Sequence, residues 1–573
     1  MREQVRVVGP ASSEHLDGAE TQAARRQIAD HGIPRAENGI ALLGATAGGT
    51  KAAWAGRGDH HPAEKAEARA EAAATLAAAA AALAKTHHQP RAIQMVWAII
   101  QRCVATALGY DFSLCSSGAL RQARCRLAES LRSSMGTLLG RELHADAWNQ
   151  LTLPGPLAGM GLRGQTEAEA DAALWATRHD LRAPLAATAR ALGRPLDPQF
   201  GAGEAAAAAG RLREAGVIVA EGVAPKLSPE AQAEVATSPW AADLPAGVEL
   251  TLPETEYPLE QPTSAGVQPR SRRRLLGTIL RGLDLVRAAR LHQAAGPEAR
   301  RTLLSAGGPG AGGVWTAMPS DAGAALENEH WVAAALARLE LLLRPEEHAC
   351  CALPAANGCR TCGKRLDRGM HHAQVCNAGP AHKRTHRALV RALLDFLRRA
   401  GAECDIERHE PGWKRTNKRG KDVDGFSDIR AQWPGSSRVF RIDVTVRSPH
   451  AERYPSAGTT VALPSRTATI EKKKNYGSSV DVLPMESYGR MGPAGLTLLA
   501  ELAEEARQWG PLQLGRAVGL PLRPLRAALE GAVLRAQADV ALLAAGALVD
   551  RALGWQPRPA PATGAPRRAR RQA

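Results

Sequence analysis

The residues with the clearest chemical potential are three cysteines and one histidine in a single short segment. They follow the pattern Cys359-x2-Cys362-x8-His371-x4-Cys376 and lie within eighteen residues. Thiolate sulfur and imidazole nitrogen are the ligands that Zn²⁺ takes in closed tetrahedral sites. Such a site supplies folding free energy to a segment too small for a core of its own. The pattern therefore predicts a structural zinc site.

The ligand set of this segment is open at two points. His372 could replace His371, and Cys350 or Cys351 could replace one of the cysteines. A group of reduced surface cysteines beside a solvated histidine is the alternative without a metal. Four basic residues in the same segment would be available for contacts with phosphates, namely Arg360, Lys364, Arg365 and Arg368.

Two aspartates farther along the chain have the spacing of a divalent-metal site. Asp428 and Asp443 lie in "SDIRAQWPGSSRVFRIDVTV", separated by fourteen residues. Glu407 or Glu410 could add a carboxylate, and the run Lys472–Lys474 adds cations. Carboxylate oxygens suit Mg²⁺, and a lysine could orient a water or stabilise a phosphoryl transition state. In the structural alternative, Asp428 is a turn residue, Asp443 is a charge at a strand edge, and the lysines are solvated.

The elements that must position these groups are a helix and a hairpin. "THRALVRALLDFLRRAG" has apolar residues at helical spacing and ends at Gly401, a typical C-cap. These residues are Leu389, Val390, Leu393, Leu394 and Leu397. Around "PGSS", residues 425–446 predict two strands that bring both aspartates to one end of a sheet. Near the N-terminus, "GIALLGATAGG" predicts a strand and a tight turn.

The totals describe a long, basic chain. It has 573 residues, 73 Lys and Arg against 57 Asp and Glu, and a net charge of +16. That charge favours phosphate backbones or anionic membranes as partners, although a composition bias would produce part of it. No uncharged run of eighteen apolar residues and no signal-peptide pattern occur, so we expect neither membrane insertion nor secretion. Nine cysteines suggest thiols or metal sites rather than disulfides.

The order of the motifs resembles the C-terminal part of non-LTR retrotransposon polyproteins that carry a restriction-like endonuclease. In that family a Cys-Cys-His-Cys knuckle precedes a domain of the PD-(D/E)xK type. Asp428 matches the first acid, Asp443 the second, and Lys472 a lysine that lies near a tyrosine, here Tyr476. "AHKRTHRALVRALL" is similar to the family's Arg-His segment, with His386 at the histidine.

Some positions depart from the family pattern. Ser427 stands where the family has proline, Phe426 where it has a basic residue, and Thr445 where many restriction-type enzymes place their lysine. No Asp-Asp dipeptide occurs in the sequence, so the polymerase core motif is absent and we expect no reverse transcriptase activity. Similarity to the end of a reverse-transcriptase palm and to the following thumb extends upstream.

The resemblance implies a multidomain chain with a mainly α-helical N-terminal half, a zinc knuckle, an α/β restriction-endonuclease-like domain and a helical C-terminal region. The expected segments are 1–55, a palm remnant; 56–175, thumb-like helices; 176–270, an Ala/Pro-rich linker; 271–348, helices; 350–380, the zinc knuckle; 381–490, the endonuclease; 491–556, helices; and 557–573, a basic disordered tail.

The resemblance also implies a function. A Mg²⁺-dependent endonuclease would nick target DNA and provide a 3′-hydroxyl for primed reverse transcription. Asp428, Asp443, Lys472 and Glu407 would form its active site, and Lys473 would join the basic residues of the knuckle in binding nucleic acid. The expected partners are target DNA and element RNA, and the expected location is the nucleus.

Two alternatives remain at the sequence level. The first is a catalytically decayed protein that keeps the zinc knuckle and binds nucleic acid without cutting it. The second is a structural zinc protein whose positive charge is compositional, which predicts no salt-dependent DNA binding.

Overall fold

The computed structural model describes most of the chain between residues 62 and 545. The described ranges are 7–8, 35–36, 41–42, 45–46, 62–86, 90–163, 166–191, 202–221, 223–243, 270–318, 323–343, 350–353, 361–376, 381–416, 422–513, 516–517 and 522–545. The predicted basic tail 557–573 lies outside them. Within "GIALLGATAGG", the two-residue strands Ala41–Leu42 and Ala45–Thr46 pair antiparallel, and the other residues of this predicted strand and turn lie outside the described ranges.

The N-terminal part is helical, as its apolar periodicity predicts. Its helices are Pro62–Thr86, Ala92–Ile99, Ile100–Val104 (a π-helix), Gly109–Leu114, Arg121–Leu139, Ala145–Thr152, Gly155–Leu157 (3₁₀) and Glu167–Ala191. The alanines of the first helix are buried every three or four residues, at Ala66, Ala70, Ala73, Ala77 and Ala81. This spacing lets Pro62–Thr86 pack closely along Arg121–Leu139, because alanine side chains allow two backbones to approach.

The segment predicted as an Ala/Pro-rich linker is ordered over much of its length, so that prediction is wrong there. It contains Ala202–Glu214, the antiparallel strands Val217–Ala220 and Val223–Leu227, Pro229–Thr237 and Pro239–Asp243 (3₁₀). Val217, Leu227 and Val235 are buried against Arg270–Ala294 in a core that also holds Trp175. Composition misled here because a few regularly spaced valines and leucines are enough to bury an alanine-rich segment.

Three tryptophans join the next helices to the N-terminal ones. Pro297–Ala306, Gly313–Thr316 and Asn328–Arg338 follow Arg270–Ala294. The rings of Trp97 and Trp315 each lie 5.7 Å from that of Trp331, and Trp97 Nε1 donates a hydrogen bond to the Trp315 carbonyl at 2.6 Å. Such aromatic packing gives the helical part a specific core. None of the described helices combines the length and apolar character needed to cross a membrane.

A four-stranded mixed sheet follows a short helix in the C-terminal part. The helices are α1 (His371–Val375), α2 (Ala381–Arg399), α3 (Leu463–Tyr476), α4 (Pro493–Trp509) and α5 (Leu522–Ala545), with a 3₁₀ turn at Pro455–Gly458. The strands are β1 (Glu403–Thr416), β2 (Asp422–Gln432), β3 (Phe440–Arg447) and β4 (Asp481–Glu486), with the short pair Leu512–Gln513 and Arg516–Ala517 beyond them. The sheet order is β4-β3-β2-β1, and only β3 and β4 are parallel in it.

The predicted hairpin is confirmed as β2 and β3. Their ladder pairs Ala431 with Phe440 and ends at the pair Ile429–Ile442. Parallel strands need a crossover connection, and α3 provides it between β3 and β4. This connection brings a lysine-rich helix onto the sheet beside the end of the ladder.

The predicted apolar face of α2 is also confirmed. Leu389, Leu393 and Leu397 are fully buried against Ile429, Ile442 and other sheet residues. The helix ends at Arg399, and Gly401 just beyond it has a φ of +86°, the left-handed conformation that glycine adopts without strain after a helix. A Cβ there would lie 2.4 Å from Pro511 Cδ, so glycine is also needed for the close approach of this neighbour.

The core under the sheet extends past residue 490, where the sequence placed a boundary between the endonuclease and a helical region. Leu499 and Leu502 of α4 and Leu529 of α5 are buried with the sheet residues and α2. The buried carboxylate of Glu530 accepts hydrogen bonds from the backbone N–H groups of Gly312 and Val314, at 3.0 and 3.2 Å. The last two helices therefore complete the sheet's core and tie it to the N-terminal helices.

We predict that Leu502→Ala lowers the free energy of unfolding by about 2–5 kcal/mol, because it leaves a cavity in the core beneath the sheet. Denaturant unfolding of the full chain would measure the change. Thr497→Ala, on the exposed side of the same helix, should change it by less than about 0.5 kcal/mol. Equal, small effects of both substitutions would show that α4 does not complete this core.

Candidate active site and metal centre

One cysteine and histidine group has the dimensions of a tetrahedral metal site. Cys351, Cys362, His372 and Cys376 offer ligand atoms that all lie within 4.8 Å of one another. The Sγ atoms of Cys351 and Cys376 are 3.8 Å apart, and Cys362 Sγ lies 3.2 Å from His372 Nε2. Zinc bond lengths imply ligand-to-ligand distances of about 3.3–3.8 Å at the edges of a tetrahedron. The group could therefore hold a metal ion such as Zn²⁺.

Backbone pairing and one helical turn position these ligands. Cys351 N–H donates to the Lys364 carbonyl at 2.7 Å, and Cys362 N–H donates to the Leu353 carbonyl at 2.9 Å. His372 and Cys376 are four residues apart on or next to α1, so they lie on one side of that turn. This i, i+4 relation is the signal in the sequence that favours His372 over His371.

The ionisation of the ligands agrees with a cation between them. Burial raises the pKa of the Cys351 thiol to about 12, so this group would become a thiolate at neutral pH only beside a positive charge. The Lys364 backbone N–H lowers the pKa of Cys362. Burial lowers the pKa of His372, which favours the neutral imidazole that binds metals.

The predicted ligand set is corrected at its histidine. His371, predicted as the ligand, belongs to a different group, and His372 takes its place. Cys359 and Arg360 lie outside the described residues, and among the described cysteines Cys351 accompanies Cys362 and Cys376. The other predicted nucleic-acid contacts of this segment, Lys364, Arg365 and Arg368, are exposed.

His371 lies in a second polar group, with His450 and Glu298. The two imidazole rings stack with centroids 3.7 Å apart and planes 19° from parallel. His450 Nδ1 lies 2.8 Å from Glu298 Oε2, and the Thr302 hydroxyl lies within 3.3 Å of Nε2 of both rings. A histidine lone pair lies in the plane of its ring, so two nearly parallel rings do not converge on one ion. This group forms a hydrogen-bonded junction, which we call the histidine junction.

The two histidines of this junction differ in charge. Burial opposes protonation of His371, but Asp367 and Glu340 outweigh it and raise its pKa to about 9. Burial lowers the pKa of His450 to about 4. A cationic ring therefore stacks on a neutral one, which avoids the repulsion of two buried positive charges. The junction connects Pro297–Ala306, α1 and the chain that follows β3.

The two predicted catalytic aspartates lie where the β2–β3 ladder ends. Ile429 and Ile442 form its last pair, so Asp428 and Asp443 occupy the next position on each strand. Asp428 Oδ2 accepts a hydrogen bond from the Val444 N–H at 2.7 Å, in place of a further backbone partner. The strands part at this point, and a cleft of about 570 Å³ lies against both carboxylates.

Glu407 supplies a third carboxylate from the neighbouring strand. It lies between the pairs Ile406–Ile429 and Arg408–Ser427, across from Asp428. Its φ of +50° is left-handed, and its side chain lines the same cleft. The alternative, Glu410, is buried instead, 2.8 Å from Ser427 Oγ and 3.0 Å from Arg441 Nε. The structure thus favours Glu407 as the third carboxylate.

Lys472 contacts Asp443 directly. Its Nζ lies 2.7 Å from Oδ1 and 2.8 Å from Oδ2 of that carboxylate. Nζ also lies 5.6 Å from the ring centroid of Tyr476, which stacks on Trp413 with centroids 4.6 Å apart. A cation–π contact of this kind helps to orient the ammonium group. Lys473, by contrast, is exposed on the same helix.

The electrostatics of Asp443 favour a further cation. Burial raises the pKa of this carboxyl, Lys472 opposes the rise, and Asp428 adds to it. His386 Nε2 lies 3.1 Å from Asp428 Oδ2, and this contact raises the pKa of the histidine. The three carboxylates do not form as compact a group as the cysteines.

Other residues of the cleft could not be assigned from sequence motifs alone. Lys383 and Arg447 add positive charge to its lining, and Asp424 and Phe426 lie on the same side of β2 as Asp428. The alternation of a strand predicts that residues 424, 426 and 428 share a face, but not that this face lines a cleft.

We predict that the protein binds about one zinc ion per chain, measured by elemental analysis of the purified protein. His372→Ala and Cys351→Ser should each release the metal, since each removes a ligand of the tetrahedral group. The matched controls are His371→Gln and Cys350→Ser, which should retain it, because neither residue belongs to the group. Retention by His372→Ala with loss in His371→Gln would contradict the assignment.

Comparison of the sequence with models of known protein families gave no match, and comparison with curated proteins gave none. A function for this chain therefore has to be argued from the geometry and chemistry of the cleft and of the cysteine and histidine group.

Proposed function

We propose that this chain is a metal-dependent DNA endonuclease of the restriction type. The observation that carries the proposal is the row Glu407, Asp428 and Asp443 on three adjacent strands, with Lys472 in contact with Asp443 at one cleft. Paired carboxylates and a lysine at the end of a forked strand pair agree with the PD-(D/E)xK pattern that the sequence resembles. The mixed sheet flanked by α2 and α4 agrees with an α/β restriction-endonuclease-like domain.

The residues of the cleft have separate roles in this proposal. Asp428 and Asp443 would hold Mg²⁺, and Glu407 would contribute through a water. Asp428 Oδ2 accepts a hydrogen bond from the Val444 N–H and lies within hydrogen-bond distance of His386 Nε2, which orients the carboxylate with Oδ1 available to a metal ion. Mg²⁺ in this position supplies a Lewis acid for the scissile phosphate and an acidified water.

Lys472 would provide a positive charge for the reaction. Its ammonium group lies at the cleft against Asp443 and Tyr476, from which it would turn to a phosphate oxygen when substrate binds. In the proposed hydrolysis a water oxygen attacks phosphorus and the bond from phosphorus to the 3′ oxygen breaks. The water loses a proton and the 3′ oxygen gains one, which leaves a 5′ phosphate and a 3′ hydroxyl. Such a hydroxyl could prime reverse transcription, as the resemblance implies.

The cysteine and histidine group would support nucleic-acid binding, with Zn²⁺ as a structural ion. Lys364, Arg365 and Arg368 are exposed around it and can reach phosphates. Lys473 would add a contact beside the cleft. Target DNA and element RNA are the proposed partners, and the nucleus is the proposed location.

A second candidate is a nucleic-acid-binding protein that no longer cuts. Both oxygens of Asp443 lie within 2.8 Å of Lys472 Nζ, which donates a hydrogen bond to Oδ2, so a lysine–aspartate ion pair already balances the charge of the carboxylate. Phe426 and Ser427 also depart from the family pattern next to Asp428. These observations favour loss of catalysis with retention of binding.

We predict that the protein nicks supercoiled plasmid with Mg²⁺ at low salt, and that Asp443→Ala abolishes nicking. Lys472→Met should slow it by roughly 10²- to 10³-fold, the typical loss on removing one preorganised charge at a transition state. Lys473→Met is the matched control and should nick within about threefold of the wild type.

The outcomes of this assay separate the two candidates. Binding without nicking by the wild type would favour the non-cutting protein. Nicking by Asp443→Ala at the wild-type rate would indicate a contaminating nuclease or a different metal ligand.

We also predict that DNA binding weakens with salt, so that log Kd rises linearly with the logarithm of the salt concentration. Replacing Lys364, Arg365 and Arg368 together by alanine should reduce the slope by about 3, roughly 0.9 for each phosphate contact removed. Anisotropy titrations over a range of salt concentrations would measure it. An unchanged slope would show that the exposed charge of this segment does not contact DNA.

A further inference from the structure

The phenylalanine beside the catalytic carboxylates is unusual in this chain. Among the described phenylalanines, Phe112, Phe396 and Phe440 are at most 8% exposed, whereas Phe426 is 51% exposed. It lies two residues before Asp428 on the same face of β2 and lines the same cleft. That spacing corresponds to about 7 Å along a strand. A large apolar ring is thus kept at the surface within reach of a nucleotide next to the scissile phosphate.

The phenyl ring contacts a histidine ring on the neighbouring strand. That strand places His409 opposite Phe426, and the two rings meet edge to face with centroids 5.5 Å apart. About half of the surface of Phe426 stays exposed beside this contact. The cleft therefore presents a flat apolar surface next to the carboxylates.

The cleft around the ring is lined by charged groups of both signs, which favours a nucleic-acid partner over an apolar peptide. Lys383, Arg447 and Lys472 line it together with Phe426, and so do the carboxylates of Glu407, Asp424, Asp428 and Asp443. Positive groups for the phosphates beside an aromatic ring for the bases are the combination with which proteins bind unpaired nucleic acid. In a duplex both faces of every base are covered by its neighbours. A side chain stacks fully on a base where the base is unpaired or has left the stack, whereas in a paired duplex it must first pry open and kink a base step.

We propose that Phe426 stacks on an unpaired base adjoining the scissile phosphate, so that the cleft selects DNA with a locally open strand. This inference rests on the proposed nuclease function and names its substrate class. The departure from the family pattern at this position, an aromatic residue in place of a basic one, then has a physical consequence. A base contact replaces a phosphate contact.

The test measures binding without added Mg²⁺, so that cleavage does not contribute. The probes are a fluorescent DNA duplex and the same duplex with a short central stretch of unpaired thymidines and one 2-aminopurine. The wild type should prefer the open probe and quench the 2-aminopurine. Phe426→Ala should lose roughly 5- to 100-fold in affinity for the open probe, the range for loss of one stacked base, and change duplex binding by less than about twofold.

Two variants serve as controls. Phe426→Trp should keep both the preference and the quenching, because the aromatic face remains. Ile470→Ala removes an apolar side chain that is 68% exposed on α3 but outside the cleft lining, and it should change neither quantity. The inference would be overturned if Phe426→Ala lost affinity equally for both probes. It would also be overturned if the wild type did not quench the 2-aminopurine fluorescence.

Failure of this inference can be distinguished from failure of the nuclease proposal. Mg²⁺-dependent nicking by a wild type with no preference for open DNA would overturn the stacking role alone. A preference that depends on Phe426 without any nicking would support the stacking role and refute the nuclease activity.

Discussion

The cleft depends on a single exchange of hydrogen bonds at the end of the β2–β3 ladder. After the pair Ile429–Ile442, the Val444 N–H donates to the carboxylate of Asp428 instead of to a backbone carbonyl. A side chain inserted in this way keeps the backbone donor satisfied while the strands separate. The fork brings Asp428 and Asp443 together and leaves room for a substrate between the strands. Lys472 and His386 then approach the carboxylates from α3 and α2, the two helices that pack beside the fork.

The point at which β2 and β3 separate brings two negative charges together, and these charges must be balanced. Asp443 is only 3% exposed and lies near a second carboxylate, so it needs a positive partner. Lys472 supplies one, and a divalent ion would compete with it for the same oxygens. Because Lys472 is on the crossover helix and is oriented by Tyr476, it can shift from the carboxylate to a phosphate without leaving the cleft. The ion pair that favours a non-cutting protein is therefore also compatible with an enzyme whose lysine moves when substrate binds.

The sequence predicted correctly those elements whose structure depends on the local spacing of apolar residues. The apolar face of α2, its end just before Gly401 and the β2–β3 hairpin follow from spacing and turn residues alone. Those elements suffice to bring Asp428 and Asp443 together. Glu407 could not be separated from Glu410, because the choice depends on a left-handed residue and an irregular register in β1. Cys351 could not be chosen over Cys350 because its role depends on pairing with Lys364 across the segment 354–360. The helices and strands within 202–243 were not predicted, because the Ala/Pro-rich composition of this segment concealed the regular spacing of its few large apolar residues.

The metal-binding segment is part of a larger core rather than an independent knuckle. Cys351, Leu366 and Cys376 are buried in one core with the N-terminal helices and α5, and α5 also packs against α2. His371, next to the ligand His372, stacks on His450 in the chain that follows β3. The histidine junction therefore lies between the helical turn that carries His372 and the chain that follows β3. Through His371 and His450 the cysteine and histidine segment is packed against the part of the chain that also carries Asp443.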